Sequence, residues 1–556
     1  MNIKTLFKVS VIASAMALVG CGGDIKIEPT VNDNSVDNST NNSNNTDGGI
    51  DTGTTNLCAI RGELQGAYDG RDCNYPAAFA SKNIEIETDL TFAELPNDGV
   101  HVFTGALLMG KDCDSTTGCT VNTDGPTLTV EAGANLAFTS GEAIIRIGRG
   151  AKINAVGTLE KPVNFTSANA YERLDVVGNG AQFADWGGII INGFGITNQC
   201  TDAQRAATTC NVTTEGVTSY FGGNDNADNS GAIEFAKIWY AGSGPRSGGE
   251  GDDLNSLTLN AVGSASKFDY IHIHQGFDDG IEFFGGAASI SHIAVTDTQD
   301  DAIDIDAGWQ GSGQYIFVKH GTVETKQEVV IPAVIENGVV VEAERIFPIG
   351  SDVFMGNNGF ETDGEKNGGA EYSEAPTSNP TFANVTVITT DGSSVRDDDP
   401  SQAFKFDDAI KSMYYNVLIV KTEGANGTNC IEHKSDGEIN ADSVSFSNSV
   451  MACVNEFKGE QSFISGKEPA ALTGTAKADW FDNSAANVRI ASTSSVLSNA
   501  FATDVDSADI TITANDLSGL GSFFQAGNYI GAVSENDTSS DWYKWVEAAV
   551  TAADQD

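Results

Sequence analysis

The sequence predicts an all-β chain wound as a right-handed parallel β-helix, a β-solenoid with projecting loops. Three observations predict it. Asp278-Asp279-Gly280-Ile281 recurs 22 positions later as Asp300-Asp301-Ala302-Ile303, and a period near 22 in strand-like sequence is one turn of a solenoid. Related fragments stand at 230–236 (SGAIEFA), 357–363 (NNGFETD), 402–408 (QAFKFDD) and 429–436 (NCIEHKSD), each with apolar residues at alternate positions. Glycine is abundant at 61 residues and proline scarce at 12, so short strands are separated by turns rather than by helices.

Taken in order, residues 1–20 read as a signal peptide. Lys4 and Lys8 precede an apolar run from Val9 to Leu18 that is too short to span a bilayer. Leu18-Val19-Gly20-Cys21 resembles a bacterial lipobox, which implies cleavage before Cys21 and acylation of its sulfur. Gly22, where an aspartate would favour the inner membrane, points in that class to lipid anchoring in the outer membrane. Residues 21–57 are dominated by Asn, Ser, Thr, Asp and Gly. They bury too little apolar surface to order themselves and are expected to act as a tether with a reach on the order of 30 Å.

Residues 58–125 read as an N-terminal cap region and 126–520 as the parallel β-helix. Residues 126–138, 143–167 and 185–193 look like opening coils. Further along, Ile233 and Phe235, Ile281 and Phe283, Ile303 and Ile305, Phe360 and Thr362, and Phe404 and Phe406 alternate as the inward residues of stacked turns. Insertions are expected at 194–228, 241–254 and 322–350, the last as a hairpin about Asn337-Gly338. Helical periodicity is confined to the stretch between Cys200 and Cys210 and to the end of 521–556, which is read as a C-terminal cap.

Eight cysteines remain beside Cys21. They fall into sequence-local pairs, Cys58 with Cys73, Cys113 with Cys119, Cys200 with Cys210 and Cys430 with Cys453. An even number in an exported chain suggests disulfides. Sequence leaves the connectivity open, although local pairing suits a stack in which only near neighbours touch. No CxxC spacing favours zinc.

Gly157–Thr166 (GTLEKPVNFT), Trp186–Gly193 (WGGIIING), the two Asp-Asp repeats and the ending within 523–545 resemble a family of bacterial β-helix lipoproteins, over roughly residues 120 to 550. The wider fold is similar to that of pectate lyases and polygalacturonases, and also hosts adhesins and binding proteins. The resemblance therefore speaks for the fold and not for an activity.

Thirty basic residues face 77 acidic ones, a formal net charge of −47. That excludes a nucleic-acid partner, which needs a basic patch. Between the inward residues lie Glu234, Glu282, Asp304, Glu361, Lys405 and Glu432. Asp306, Asp363 and Asp407 follow two positions on, and Asp279 and Asp301 sit at the preceding turn. Neighbouring coils would hold Glu282 and Asp304 roughly 5 Å apart. Like charges so placed need a cation or a proton between them, and oxygen-only donors suit calcium. Asp279, Glu282, Asp301, Asp304 and Asp306 are thus the expected calcium ligands; the alternative is a solvated acidic face with loosely held counterions.

His272 and His274 alternate with Ile271 and Ile273 and are expected to face outward, with His292 one coil away, a pattern that can hold zinc or copper. If the chain is an enzyme, Asp278, Asp279, Asp300 and Asp301 are the candidate carboxylates of a hydrolase. Lys267, Lys319, Arg345, Arg396, Lys405 and Lys411 are the candidate bases of a lyase. Aspartates at such turns also cap turn amides. Trp186, Trp239, Tyr240, Trp309 and Tyr315 are candidate sugar platforms. The reading these features favour is a membrane-anchored, non-catalytic lipoprotein that binds a polysaccharide, a cation or a surface protein. The alternatives are a calcium-dependent polysaccharide lyase or glycosidase and a structural or adhesive surface protein.

Overall fold

The computed structural model describes residues 55–555, apart from 245–252, 332–333, 337–338, 343, 365–374, 391, 393, 395–400, 409, 423–428, 434–443, 459–479, 483–485 and 491–494. Residues 1–20, read as a signal peptide, Cys21, all but the end of the expected tether, Arg396 and most of the 241–254 loop lie outside the described residues.

The chain forms a parallel β-helix. One sheet, here sheet 1, contains eleven parallel strands. Its central rungs are Ile189–Asn192, Leu257–Asn260, Ile281–Phe284, Ile303–Asp306, Asn358–Asp363 and Gln402–Asp407. Ile281 pairs with Ile303, Glu282 with Asp304 and Phe283 with Ile305, so the 22-residue repeat is the pairing register of successive coils. Alternation then sends Ile281, Phe283, Ile303, Ile305, Phe360, Phe404 and Phe406 inward, all without solvent contact. Each such side chain contributes about 1.5–3 kcal/mol of burial.

Sheet 2 supplies the other two faces of each coil. Lys152–Val156 and Val163–Ser167 both pair with the long strand Gly231–Trp239 along its two halves. From there to Ser412–Lys421 each rung is one long strand with a bend in its middle, and the next is two short strands, Val444–Ser447 and Val450–Ala452. The bends stack as Phe235, Tyr270, His292, Tyr315, Asn384 and Asn416, all with φ between 42° and 67°, the left-handed region that favours glycine. The aromatic members lie ring on ring, with Phe235–Tyr270 and Tyr270–His292 centroids 4.2 Å apart.

Several expectations are corrected here. Glu234 does not belong to the sheet 1 column; its strand is in sheet 2, where it pairs with Val156 and Asp269. Parallel pairing begins inside the expected N-terminal cap region, with Cys73–Tyr75 against His101–Phe103. The segment read as a C-terminal cap packs along sheet 2. Its helix, Asp541–Ala553, lies on the flank of sheet 2, with Trp542 and Trp545 edge-on against Tyr270. The side-chain amides of Asn384 and Asn416 donate to backbone carbonyls of the same segment, at Tyr529 and Gly527.

Disulfides join Cys58 to Cys73, Cys113 to Cys119, Cys200 to Cys210 and Cys430 to Cys453. The last spans two coils. The 194–228 excursion runs along the C-terminal edge of sheet 1, its Asn198 amide donating to the Ala307 carbonyl and Phe221 resting on Phe284. Residues 322–354 form an antiparallel hairpin whose inner side, Val323, Val329, Ile331 and Val353, packs on Phe183 and Phe277.

Candidate functional site

The outward side chains of sheet 1 form one column. Its register runs Glu85, Leu108, Arg146, Ile190, Thr258, Glu282, Asp304, Glu361, Lys405, Glu432, Lys458. In a second column Asp306 stands beside Phe284, and Asp363 beside Asp407.

At the turn entering these strands, four side chains form a ladder. Asn255 Oδ1 accepts the Asp279 amide at 3.0 Å, Asp279 Oδ1 accepts the Asp301 amide at 2.9 Å, and Asp301 Oδ1 accepts the Asn358 amide at 2.7 Å. Each carboxylate or amide caps the turn of the next coil, the structural role that aspartates at turns have.

The same turns bring carboxylates together. One oxygen each from Asp278, Asp279 and Asp300 lie within 4.8 Å of one another, and so do oxygens from Asp279, Glu282 and Asp304. Asp279 is common to both sets. Of the five expected ligands, then, Asp279, Glu282 and Asp304 converge. Asp301 and Asp306 do not join them. Asp301 is turned to Asn358, whose side-chain amide also reaches it at 2.8 Å. Asp306 lies two positions along the strand and accepts the Ala307 amide. Of the four candidate hydrolase carboxylates, Asp278, Asp279 and Asp300 come together, while Asp301 is the one turned to Asn358.

This face is not the solvated surface that is the bland alternative. Asp279 is 6% exposed, Glu282 3% and Asp301 3%. Asn255 Nδ2 donates to Glu282 at 2.5 Å. Burial first, and then the charges of Asp304, Asp300 and Glu282, hold the Asp279 carboxyl well above the usual carboxylate range. Burial, then Glu361 and Asp300, does the same to Asp301. Clustered carboxylate oxygens are the donor type that a hard cation such as calcium takes.

Further along the column Lys405 pairs with Glu361, and Lys458 reaches Glu432 at 3.1 Å. Burial pulls the Lys405 ammonium down, but Glu361, Asp301 and Asp363 outweigh it and hold it above the ordinary lysine range. It therefore stays charged and is a poor base. Lys267 pairs with Glu234 and Lys319 with Asp554. Arg345 is on the hairpin and Lys411 is exposed on an adjoining turn.

His272 and His274 point away from the coil interior, but other coils cover them and they are buried, at 2% and 0% exposure. Both bind the Thr296 hydroxyl, at 3.0 and 2.8 Å, and Trp239 Nε1 donates to His272 Nδ1. Burial and His274 drive the His272 imidazole well below its ordinary range. His292 lies on the bend of sheet 2, stacked on Tyr270 and Tyr315, and bonds Asp269. The three histidines do not converge.

The aromatic candidates are spoken for as well. Trp186 stacks on Phe138 and Trp309 on Phe283 in the core. Tyr315 and Tyr240 are each 8% exposed. Half-buried Trp239 carries the Lys237 ammonium over its ring.

Residues 105–332 match the family described as pectate-lyase like beta helix domain. The match spans the opening coils, both Asp-Asp repeats and the carboxylate cluster, and it supports the pectin-lyase-like fold that the motifs resemble. No curated protein matches the chain.

Proposed function

We propose that this chain is an exported, lipid-anchored β-helix protein that binds an anionic glycan without turning it over, through calcium held on the acidic face of sheet 1. The observation that carries this reading is the convergence of two carboxylate triads on Asp279. Asp278, Asp279, Asp300, Glu282 and Asp304 would hold the ion, which supplies a positive centre for acidic groups of a ligand. The lipobox-like Leu18–Cys21 supports acylation at Cys21 and an outer-membrane address.

Calorimetric titration tests the site. Calcium should bind wild type and lose at least tenfold in affinity to Glu282→Gln with Asp304→Asn. Equal affinity in the two proteins would sink the calcium site. The family match favours one second reading, a lyase. Incubation with acidic polysaccharides separates the two, since new unsaturated ends absorbing in the ultraviolet mean cleavage. For the anchor, Cys21→Ser should abolish labelling by palmitate and release the protein from membranes.

A further inference from the structure

A second recess lies on the outer face of sheet 1, at its N-terminal end. It encloses about 750 Å³ and is floored by Ile84, Ala106, Leu108 and Ile144, within the size range of small-molecule sites. Val217 and the adjoining turn of the 194–228 excursion overhang it. Leu108 is four rungs from Glu282 in the column register, roughly 19 Å at the spacing of neighbouring strands, so this recess is separate from the carboxylate cluster.

Its chemistry is specific. The floor is aliphatic and no aromatic ring lines it, which disfavours a sugar ring or a quaternary ammonium, both of which seek aromatic faces. Four acids line it, Glu85, Glu87, Asp112 and Glu142, against Lys82 and Arg146. Arg146 is buried, sits 3.3 Å from Asp112 and donates to the Gly110 carbonyl, while its Nε has no hydrogen-bond partner among the described residues. The rim therefore presents net negative charge above methylene-friendly walls.

We infer that this recess binds a linear primary alkylammonium, its methylenes on Leu108 and Ile144 and its ammonium among the glutamates. Two sources share that chemistry, a free aliphatic diamine and a lysine side chain of a peptide. Calorimetric titration of the full chain with cadaverine and with Nα-acetyl-lysine methylamide distinguishes them, with 1,5-pentanediol and glutarate as uncharged and anionic controls. At least one ammonium should bind at a single site more than tenfold tighter than pentanediol, with glutarate not binding. Leu108→Trp, which fills the recess, and the exposed change Glu87→Lys should each weaken binding at least tenfold. Asp304→Asn, in the other cluster, should leave it unchanged. Should Leu108→Trp fail to fold, Glu87→Lys decides alone. Binding that survives Glu87→Lys, that vanishes in Asp304→Asn, or that is no tighter than that of pentanediol overturns the inference.

Discussion

His101 illustrates how a single side chain sets a pH limit. Its Nε2–H donates to the Ala93 carbonyl at 2.8 Å and its Nδ1 accepts from the Tyr75 hydroxyl at 2.8 Å, so the ring is bound as the neutral tautomer. Burial pushes its pKa down to about 4. A histidine held below its unfolded value of 6.5 gives stability that is complete above pH 6.5 and is lost as the pH falls toward 4. The shift corresponds to about 3 kcal/mol. His320, lowered to about 3 by burial and by Lys421, steepens the same slope. Urea midpoints measured from pH 7 to pH 4 should fall for wild type and fall less for His101→Gln, which keeps a donor for Ala93. An unchanged slope in the variant would remove His101 from the account.

At the scale of the element, the C-terminal helix is bound by its tryptophans. Trp545 is 3% exposed and meets Phe235 and Tyr270 edge-on at the stacked bends of sheet 2. Trp545→Ala should cost about 3–5 kcal/mol. Hydrogen exchange should show protection lost in Lys267–His274 and Ile290–Thr296, with Ile281–Phe284 in sheet 1 unaffected. Loss spread evenly over both sheets would mean that the helix is integral to the whole stack. Sheet 1 was legible in the sequence where Ile281–Phe284 and Ile303–Asp306 repeat at 22 residues, and Glu282 and Asp304 followed from that register; elsewhere insertions part its paired strands, as between Ile303 and Phe360. The bends of sheet 2 were not legible. Three of them are formed by Phe235, Tyr270 and Tyr315, bulky residues that ordinarily avoid positive φ and give no turn signal. Nor was the burial of His272 and His274, since their surroundings, Trp239, Tyr240 and Thr296, come from the neighbouring coils. Asp301 escaped for a local reason: an amide of the next coil took its carboxylate, and alternation alone does not report which way a turn residue leans.

The whole molecule is governed by an excess of acid, −47 in net charge, part of it buried in one column. Dispersed surface charge and buried carboxylates respond to different remedies. Surface repulsion is screened by any salt over about 10 Å at 0.1 M, whereas Asp279, Asp301 and Asp363 are sheltered and are held well above the carboxylate range by burial and by their acidic neighbours. A carboxyl raised in the folded state binds its proton more tightly there than when unfolded. Its contribution is therefore complete below the unfolded value of 3.8 and lost as the pH rises through the folded value. Above that value a divalent cation is the remaining way to offset the repulsion. Sodium chloride from 0.02 to 0.5 M should raise Tm by a similar amount in wild type and in Glu282→Gln with Asp304→Asn. Calcium chloride at matched ionic strength should raise Tm further in wild type alone, and the extra shift, followed from pH 4 to pH 9, should grow wherever the buried carboxyls lose their protons. If calcium and sodium act alike on wild type across that range, the column is neutralised by protons and by its own lysines, and the cation has no place in the fold.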